Sequence, residues 1–112
     1  MEVIKSYPEN LDKRELFRLM NSNETGKMSD AEGSVISPRA WVIFNDADAK
    51  TGEVKKVVVI DTKDGELFGT ISNTFITEFE KIVDYFGGDP GDIKIISGES
   101  KAGRTYITCD IV

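Results

Sequence analysis

The pair Asp64-Gly65 separates two runs of β-branched and aromatic residues, and it constrains the fold more than any other feature of the chain. A two-residue turn of this kind needs positive φ at both central positions, which aspartate and glycine tolerate, and it joins antiparallel strands. The run before it is VKKVVVIDT and the run after it is ELFGTIS. We therefore expect a hairpin near the middle of the chain.

A third strand is predicted before this hairpin. The segment SVISPRAWVIFN has the β-branched and aromatic content of a strand, and a polar turn at residues 46–53 separates it from the next run. Pro38 lies inside it and cannot donate to a strand ladder. The sequence therefore predicts a bulge or an edge position at Pro38.

A helix and two further strands are predicted after the hairpin. Apolar side chains recur every three or four residues from Phe75 to Phe86, which is the spacing of one helix face. Ser72 or Asn73 can cap the start of this helix, and Gly87 can end it. The segments IKIIS and RTYITCDIV then form a last pair of strands around the turn GESKAG.

The N-terminal residues predict an extension outside the sheet. Apolar residues within positions 11–20 recur at mixed helical spacings, and Asn10 can cap a short amphipathic helix over residues 10–21. The polar segment at residues 22–33 has no period and predicts a loop. Residues 1–32 are therefore interpreted as an N-terminal helix and loop.

The predicted order is strand, strand, strand, helix, strand, strand, which is the order of the OB-fold, a five-stranded Greek-key β-barrel. We expect the 112 residues to form a single OB-fold domain that is mostly β with two helices, one of them in the N-terminal extension. In that fold a ligand lies across strands 2 and 3 and between two loops. These loops are residues 46–53 and 99–103 here.

The net charge of −6 is unevenly distributed. Residues 35–56 and 93–112 each carry one more basic than acidic residue, whereas residues 73–92 carry five acidic residues and one basic residue. Charges separated by more than about 8 Å are largely screened at physiological salt. A weakly basic ligand surface is therefore compatible with an acidic helix on the far side.

The composition argues against catalysis and metal binding. The chain has no histidine, which is the usual acid–base residue and the commonest metal ligand. Cys109 is expected to be a small core residue, since no histidine can activate it. Asp46 and Asp48 resemble part of a calcium loop, but a third oxygen ligand and the glycine are missing. We expect no catalytic residue, no metal and no cofactor.

The composition also argues against a membrane protein. The longest uncharged apolar runs are much shorter than the roughly 20 residues that cross a bilayer. The start MEVIKSYPEN has no apolar stretch typical of a signal peptide. We expect a location in the cytoplasm and no membrane partner.

Alternation along the strands predicts which side chains meet a ligand. If the first strand turns Ala40 toward the core, its neighbours point outward, and the third and last strands each place one ring on the same face. One of the two lysines that begin the second strand should reach this groove. The candidate contacts are Arg39, Trp41, Lys55, Lys56, Phe68, Lys101, Arg104 and Tyr106.

Rings interleaved with cations are typical of surfaces that bind single-stranded nucleic acid, because bases stack on rings and phosphates meet lysine and arginine. A second interpretation stays open for the rings. Tryptophan and phenylalanine in the strands of a small barrel are more often core residues, and a one-residue slip at Pro38 would turn Trp41 inward. Lys55 and Lys56 are equally consistent with solvated lysines.

Three segments, SGESKAGRTYITC, KMSDAEG and DGELFGTISNTFITEF, resemble the small single-stranded DNA-binding proteins of tailed bacteriophages. The resemblance covers roughly residues 16–112 and is most specific at residues 101–109. It implies an OB-fold that coats replicating phage DNA without sequence preference. It also implies DNA contacts from Lys101, Arg104 and Tyr106, and it makes cooperative self-association an expectation.

Two hypotheses follow. The first is a non-enzymatic protein that holds single-stranded DNA in a shallow groove during phage DNA replication or recombination, with an acidic helix facing away from the DNA. The alternative is a protein-interaction module in which the acidic helix contacts a replication enzyme or a host target.

Overall fold

Eight strands are divided between two sheets in the computed structural model, which describes residues 1–112. The strands are β1 Glu2–Tyr7, β2 Gly26–Lys27, β3 Val35–Ile36, β4 Pro38–Ala47, β5 Val54–Thr62, β6 Leu67–Thr70, β7 Ile93–Glu99 and β8 Thr105–Ile111. The helices are α1 Lys13–Asn21 and α2 Asn73–Tyr85, and Met28–Ala31 forms a 3-10 turn. Neither α-helix has the length and apolar content needed to cross a bilayer.

The first sheet has the strand order β1-β4-β5-β6-β2, and the second has the order β3-β7-β8. Only Ser37 separates β3 from β4, so the chain passes from one sheet to the other at this residue. No ladder joins β6 to β8, and the two sheets are not closed into a barrel. The structure is therefore mostly β with two helices and two sheets, rather than the five-stranded Greek-key β-barrel expected from the sequence.

The predicted order of three strands, a helix and two strands is confirmed by β4, β5, β6, α2, β7 and β8. The predicted cap of α2 is also confirmed, because the Ser72 hydroxyl accepts a hydrogen bond from the Phe75 amide at 3.3 Å. The helix ends before Gly87, whose φ of +71° is a conformation that glycine adopts without strain.

The β5–β6 hairpin is present, but its turn differs from the two-residue turn predicted at Asp64-Gly65. Gly65 has a φ of +85°, and no residue other than glycine has a positive φ. The Gly65 amide donates to the Thr62 carbonyl at 2.9 Å, and the Thr62 amide donates to Glu66 at the same distance. The turn is therefore a three-residue loop whose last residue, Gly65, has the left-handed backbone conformation. Only this one position of the loop has a positive φ, and glycine adopts it without strain.

The central strands of the first sheet, β4 and β5, are largely buried on both faces. Trp41 and Ile43 of β4 pack in the main core with α2 and the second sheet, while Val42 and Phe44 pack in a second cluster with Leu19 of α1. Strands that are covered on both faces carry continuous apolar runs rather than an alternating pattern. This explains why both β4 and β5 contain such runs.

The N-terminal segment is part of the fold, so its interpretation as a helical extension was wrong. β1 pairs antiparallel with β4, with Val3 opposite Phe44 and Tyr7 opposite Trp41. A helix does follow, but Asp12 caps it rather than Asn10, and the Asp12 carboxylate accepts from the Glu15 amide at 2.8 Å. β1 was missed because only its last two residues are partly buried, which leaves no apolar alternation to detect.

Replacement of Leu19 by alanine tests whether α1 belongs to the folded core. Leu19 is 1% exposed, and removal of a buried leucine side chain costs about 2–5 kcal/mol of unfolding free energy. The matched control is Phe17→Ala on the same helix, because Phe17 is 68% exposed and should change stability by less than about 0.5 kcal/mol. Urea unfolding followed by circular dichroism measures both, and equal effects would contradict the packing of α1.

Candidate nucleic-acid interface

An open groove of about 850 Å³ lies beside the gap between β6 and β8. Its floor includes Phe44, Val57 and Val59, on the face of the first sheet that α1 partly covers. Its borders are residues 25–29, residues 69–72 and residues 105–107. The groove therefore lies where the two sheets do not join, and the edge strand β8 forms one border.

Tyr106 is the aromatic residue on the open border of this groove. On β8, Ile107 and Cys109 pack against the main core, and Tyr106 lies opposite Gly98 of β7. The Tyr106 side chain is partly buried, so part of its surface stays accessible. The ring is held at the border of the groove and can still be reached by a ligand.

The β7–β8 loop, which leads into the strand of Tyr106, carries two exposed cations. The Ser100 amide donates to the Arg104 carbonyl at 2.8 Å, and the Ser100 hydroxyl accepts from the Arg104 amide at 3.2 Å. Gly103 closes the turn with a φ of +79°. Lys101 and Arg104 are exposed, and neither forms an ion pair.

Two more cations lie at or near the groove. Lys27 of β2 is exposed on its border, and Lys55 of β5 lines an adjoining depression that shares Ile71 with the groove. The sequence did not identify Lys27, because β2 has only two residues and pairs in parallel with a distant strand. The segment KMSDAEG, which carries the family resemblance, was its only signal.

Trp41 does not face the groove, so its predicted outward orientation was wrong. It is 3% exposed, and its Nε1 donates to the Gly88 carbonyl at 2.8 Å. The indole packs edge-on against Phe79 at 5.3 Å and stacks on Tyr7 at 6.4 Å between ring centroids. The register between β4 and β5 is irregular between Pro38 and Ala40, which confirms the predicted bulge. Trp41 follows this irregularity and faces the main core.

Phe68 also lies away from the groove. Its ring packs against the main core and borders a separate depression that contains Asp64 and Glu66. The predicted outward position of Phe68 was therefore wrong. As for Trp41, the alternating side chains of the strand had been assigned to the wrong faces of the sheet. The strand pattern places Gly69, not Phe68, on the border of the groove.

Arg39 and Lys56 are engaged in ion pairs within the chain. The Arg39 guanidinium pairs with the buried Asp61 carboxylate, and Lys56 Nζ lies 2.6 Å from Glu80 Oε1. These partners come from distant parts of the sequence and were not predictable from local pattern. Neither cation lines the groove.

The Asp61 carboxylate also accepts from Arg18 of α1 at 2.8 Å. Burial acts to lower the pKa of Arg18, but the hydrogen bond and charge of Asp61, with a smaller contribution from Glu15, outweigh it and raise that pKa. Arg18 and Arg39 thus share one buried anion and join α1 to the sheet.

The acidic residues of α2 are largely paired within the chain. Lys81 donates to Glu78 at 3.0 Å and Lys5 donates to Asp84 at 3.0 Å, while Lys56 pairs with Glu80. The helix is therefore a less strongly negative surface than its sequence suggests.

Cys109 is buried in the main core, as expected from the sequence. Burial raises the pKa of its thiol from 9.0 to about 12, and the charges of Glu78 and Asp110 act in the same direction.

The Asp48 carboxylate of the β4–β5 loop accepts from the amides of Lys50 and Thr51, and these hydrogen bonds lower its pKa.

One comparison with known proteins gives a match. A family model described as phage single-stranded DNA-binding protein matches residues 1–112, which is the whole chain. A search of curated proteins and a search of solved structures give no significant match.

The raised pKa of Cys109 predicts slow reaction with a thiol reagent such as dithionitrobenzoate. Only the thiolate reacts, so at pH 8 the native protein should react at least about 100-fold more slowly than the same chain in urea. The unfolded chain loses the thiol proton first as pH rises, so the stability linked to this group is complete below about pH 9 and declines above it. Rapid labelling under native conditions would contradict the buried position.

Proposed function

We propose that this chain, which belongs to the phage single-stranded DNA-binding protein family, binds single-stranded DNA without sequence preference in the groove between β6 and β8. The observation that carries the proposal is the combination of an accessible aromatic ring and a nearby loop with free cations at one border of this groove. An accessible ring at Tyr106 borders the groove, and the loop that leads into its strand carries the exposed, unpaired Lys101 and Arg104.

The two kinds of side chain supply different parts of the binding energy. Stacking of a base on an aromatic ring contributes about 1–3 kcal/mol and is tolerant of sequence, because every base has a flat face. Lysine and arginine contact phosphates and displace counterions. The contacts proposed here are Lys27, Lys55, Lys101, Arg104 and Tyr106.

Local charge permits this function despite the net charge of −6. Glu78, Glu80 and Asp84 on α2 are compensated by lysines of the same chain. Lys27 lines the groove together with Glu32 and Asp46, and Lys55 lines an adjoining depression. Charges more than about 8 Å apart are largely screened at physiological salt. The proposed path of the strand therefore follows the borders that carry Lys27 and Tyr106.

The OB-fold remains our interpretation of the architecture. β4, β5, β6, α2, β7 and β8 follow the order of that fold, and the switch of sheet at Ser37 lets a single bent strand serve both sheets. In an OB-fold the ligand lies between two loops, which here are the β4–β5 and β7–β8 loops. Lys55, at the start of β5, and Lys101, in the β7–β8 loop, are the cations that we propose beside this path.

The wider role is proposed from the family. We infer that the protein protects single strands during phage DNA replication or recombination in the host cytoplasm, without catalysing a reaction. Contacts with replication proteins and self-association on DNA are compatible with this role. The alternative of an acidic docking helix has less support, because Glu78, Glu80 and Asp84 of α2 pair with lysines of the same chain.

Removal of single cations tests the groove. Lys27→Ala, Lys101→Ala and Arg104→Ala should each weaken binding and reduce the slope of log affinity against log salt by about 0.7, since each cation neutralises one phosphate. Titration of fluorescent oligo-dT at several salt concentrations measures the slope. The matched control is Lys63→Ala, an exposed lysine of the β5–β6 turn that does not line the groove. Equal slopes for all four variants would refute the placement.

Replacement of Tyr106 by alanine tests the stacking contact. The variant should lose about 1–3 kcal/mol of binding free energy, the contribution of one stacked base, at unchanged salt slope. Tyr85→Ala is the control, because Tyr85 is 84% exposed and lies outside the groove. Binding of oligo-dT should be unaffected in the control, and a loss of equal size in both variants would argue against a stack at Tyr106.

A further inference from the structure

Gly98 and Tyr106 are directly opposite each other on the antiparallel strands β7 and β8. The ring of Tyr106 lies across the backbone of Gly98 rather than standing away from the sheet. A methyl group on Gly98 would lie 2.6 Å from both Cζ and Oη of Tyr106, and 2.8 Å from Cε2. The phenol end of the ring therefore occupies the space that a side chain at position 98 would need.

The backbone does not require a glycine at this position. Most glycines of the chain have a positive φ, a conformation that favours glycine, but Gly98 is not among them. It lies inside a strand, where glycine weakens the strand unless a close approach needs the space. Gly26 and Gly69 share its ordinary φ, and a methyl group on either would meet no atom closer than 3.2 Å. The close approach of the Tyr106 ring is what distinguishes Gly98.

We propose that Gly98 is a positioning residue for DNA binding, which acts by giving the Tyr106 ring a flat surface to lie on. This inference rests on the proposed function, because it assumes that the ring stacks on a base. One side of the ring rests on the β7 backbone, and its orientation is set before DNA arrives. A ring that is already oriented loses less conformational freedom on binding than a mobile one.

A side chain at position 98 would displace the ring without unfolding the sheet. Tyr106 is partly exposed, and the atoms that meet the added methyl group belong to the far end of its side chain. The ring can rotate away into solvent, while the ladder between β7 and β8 uses backbone groups only. Gly98→Ala is therefore expected to fold normally and to bind DNA poorly.

The test is a double-mutant cycle with Gly98→Ala, Tyr106→Ala and the double variant, measured by titration of oligo-dT. Tyr106→Ala should raise the Kd about 5- to 150-fold, which is the range for one stacked base. Gly98→Ala should raise the Kd at least about threefold at unchanged salt slope and have no further effect once Tyr106 is absent, because the two residues act as one unit. Tyr85→Ala, at an exposed position outside the groove, should leave the Kd unchanged.

The outcomes separate this inference from the proposed function. If Tyr106→Ala leaves the Kd unchanged, the stacking contact itself is wrong. If Tyr106→Ala weakens binding but Gly98→Ala does not, the contact stands and the positioning role of Gly98 is overturned. Equal losses from Gly98→Ala with and without Tyr106 would also overturn it, because the glycine would then act independently of the ring.

A measurement on the unmodified protein covers the case in which Gly98→Ala fails to fold. Protons that lie over the face of an aromatic ring resonate upfield, so the Gly98 α protons should be shifted upfield in the free protein and return to ordinary values in Tyr106→Ala. The upfield shift should persist when oligo-dT is added, because the ring keeps its orientation. Ordinary Gly98 shifts in the free protein would show that the ring does not rest there.

Discussion

Both faces of the β4–β5 hairpin are buried, one against α2 and the second sheet and the other against α1. This double burial determines where a ligand can lie. The main core takes Trp41 and Ile43, while α1 covers Val42 on the opposite face. An open sheet surface for a nucleic acid is therefore reduced to the part beyond the end of α1, where the groove begins and continues to the edge of β8.

The position of α1 depends on apolar packing and on one buried anion. Leu19 is enclosed between the helix and the sheet, and Asp61 of β5 accepts from both Arg18 of α1 and Arg39 of β4. A buried carboxylate without partners is strongly unfavourable, so loss of either arginine would leave part of this charge uncompensated. Arg39 is thus a structural residue, and its positive charge is balanced within the fold.

The sequence contained enough information for the central elements but not for the phase of the strands. The helix period from Phe75, the Ser72 cap and the hairpin around Gly65 are local signals, and the structure confirms them. The orientation of Trp41 depends on which face of a doubly buried strand meets α2, and an apolar run such as Ala40 to Phe44 carries no alternation from which to read it.

Short strands and long-range ion pairs account for the other differences. β2 and β3 have two residues each, which is too few for a periodic signal, so Lys27 could not be assigned to a groove. The pairing of Lys56 with Glu80 joins residues that are 24 positions apart. A charge count along the sequence cannot distinguish a cation that is held in such an ion pair from an unpaired one such as Lys101.

In the proposed mode of binding, four unpaired cations and one ring set the balance between electrostatic attraction and stacking. If Lys27, Lys55, Lys101 and Arg104 each neutralise one phosphate, the salt slope is about −2.8, and affinity falls about 50-fold between about 50 and 200 mM salt. One stacked base contributes a factor of similar size, roughly 5- to 150-fold. If the proposed contacts form, binding would depend strongly on the ring as well as on the cations, and precise placement of Tyr106 would contribute more than in a strongly basic protein. A residue that orients this ring would then matter for binding. Gly98, an interior strand position without a side chain, is the residue that we propose for this role.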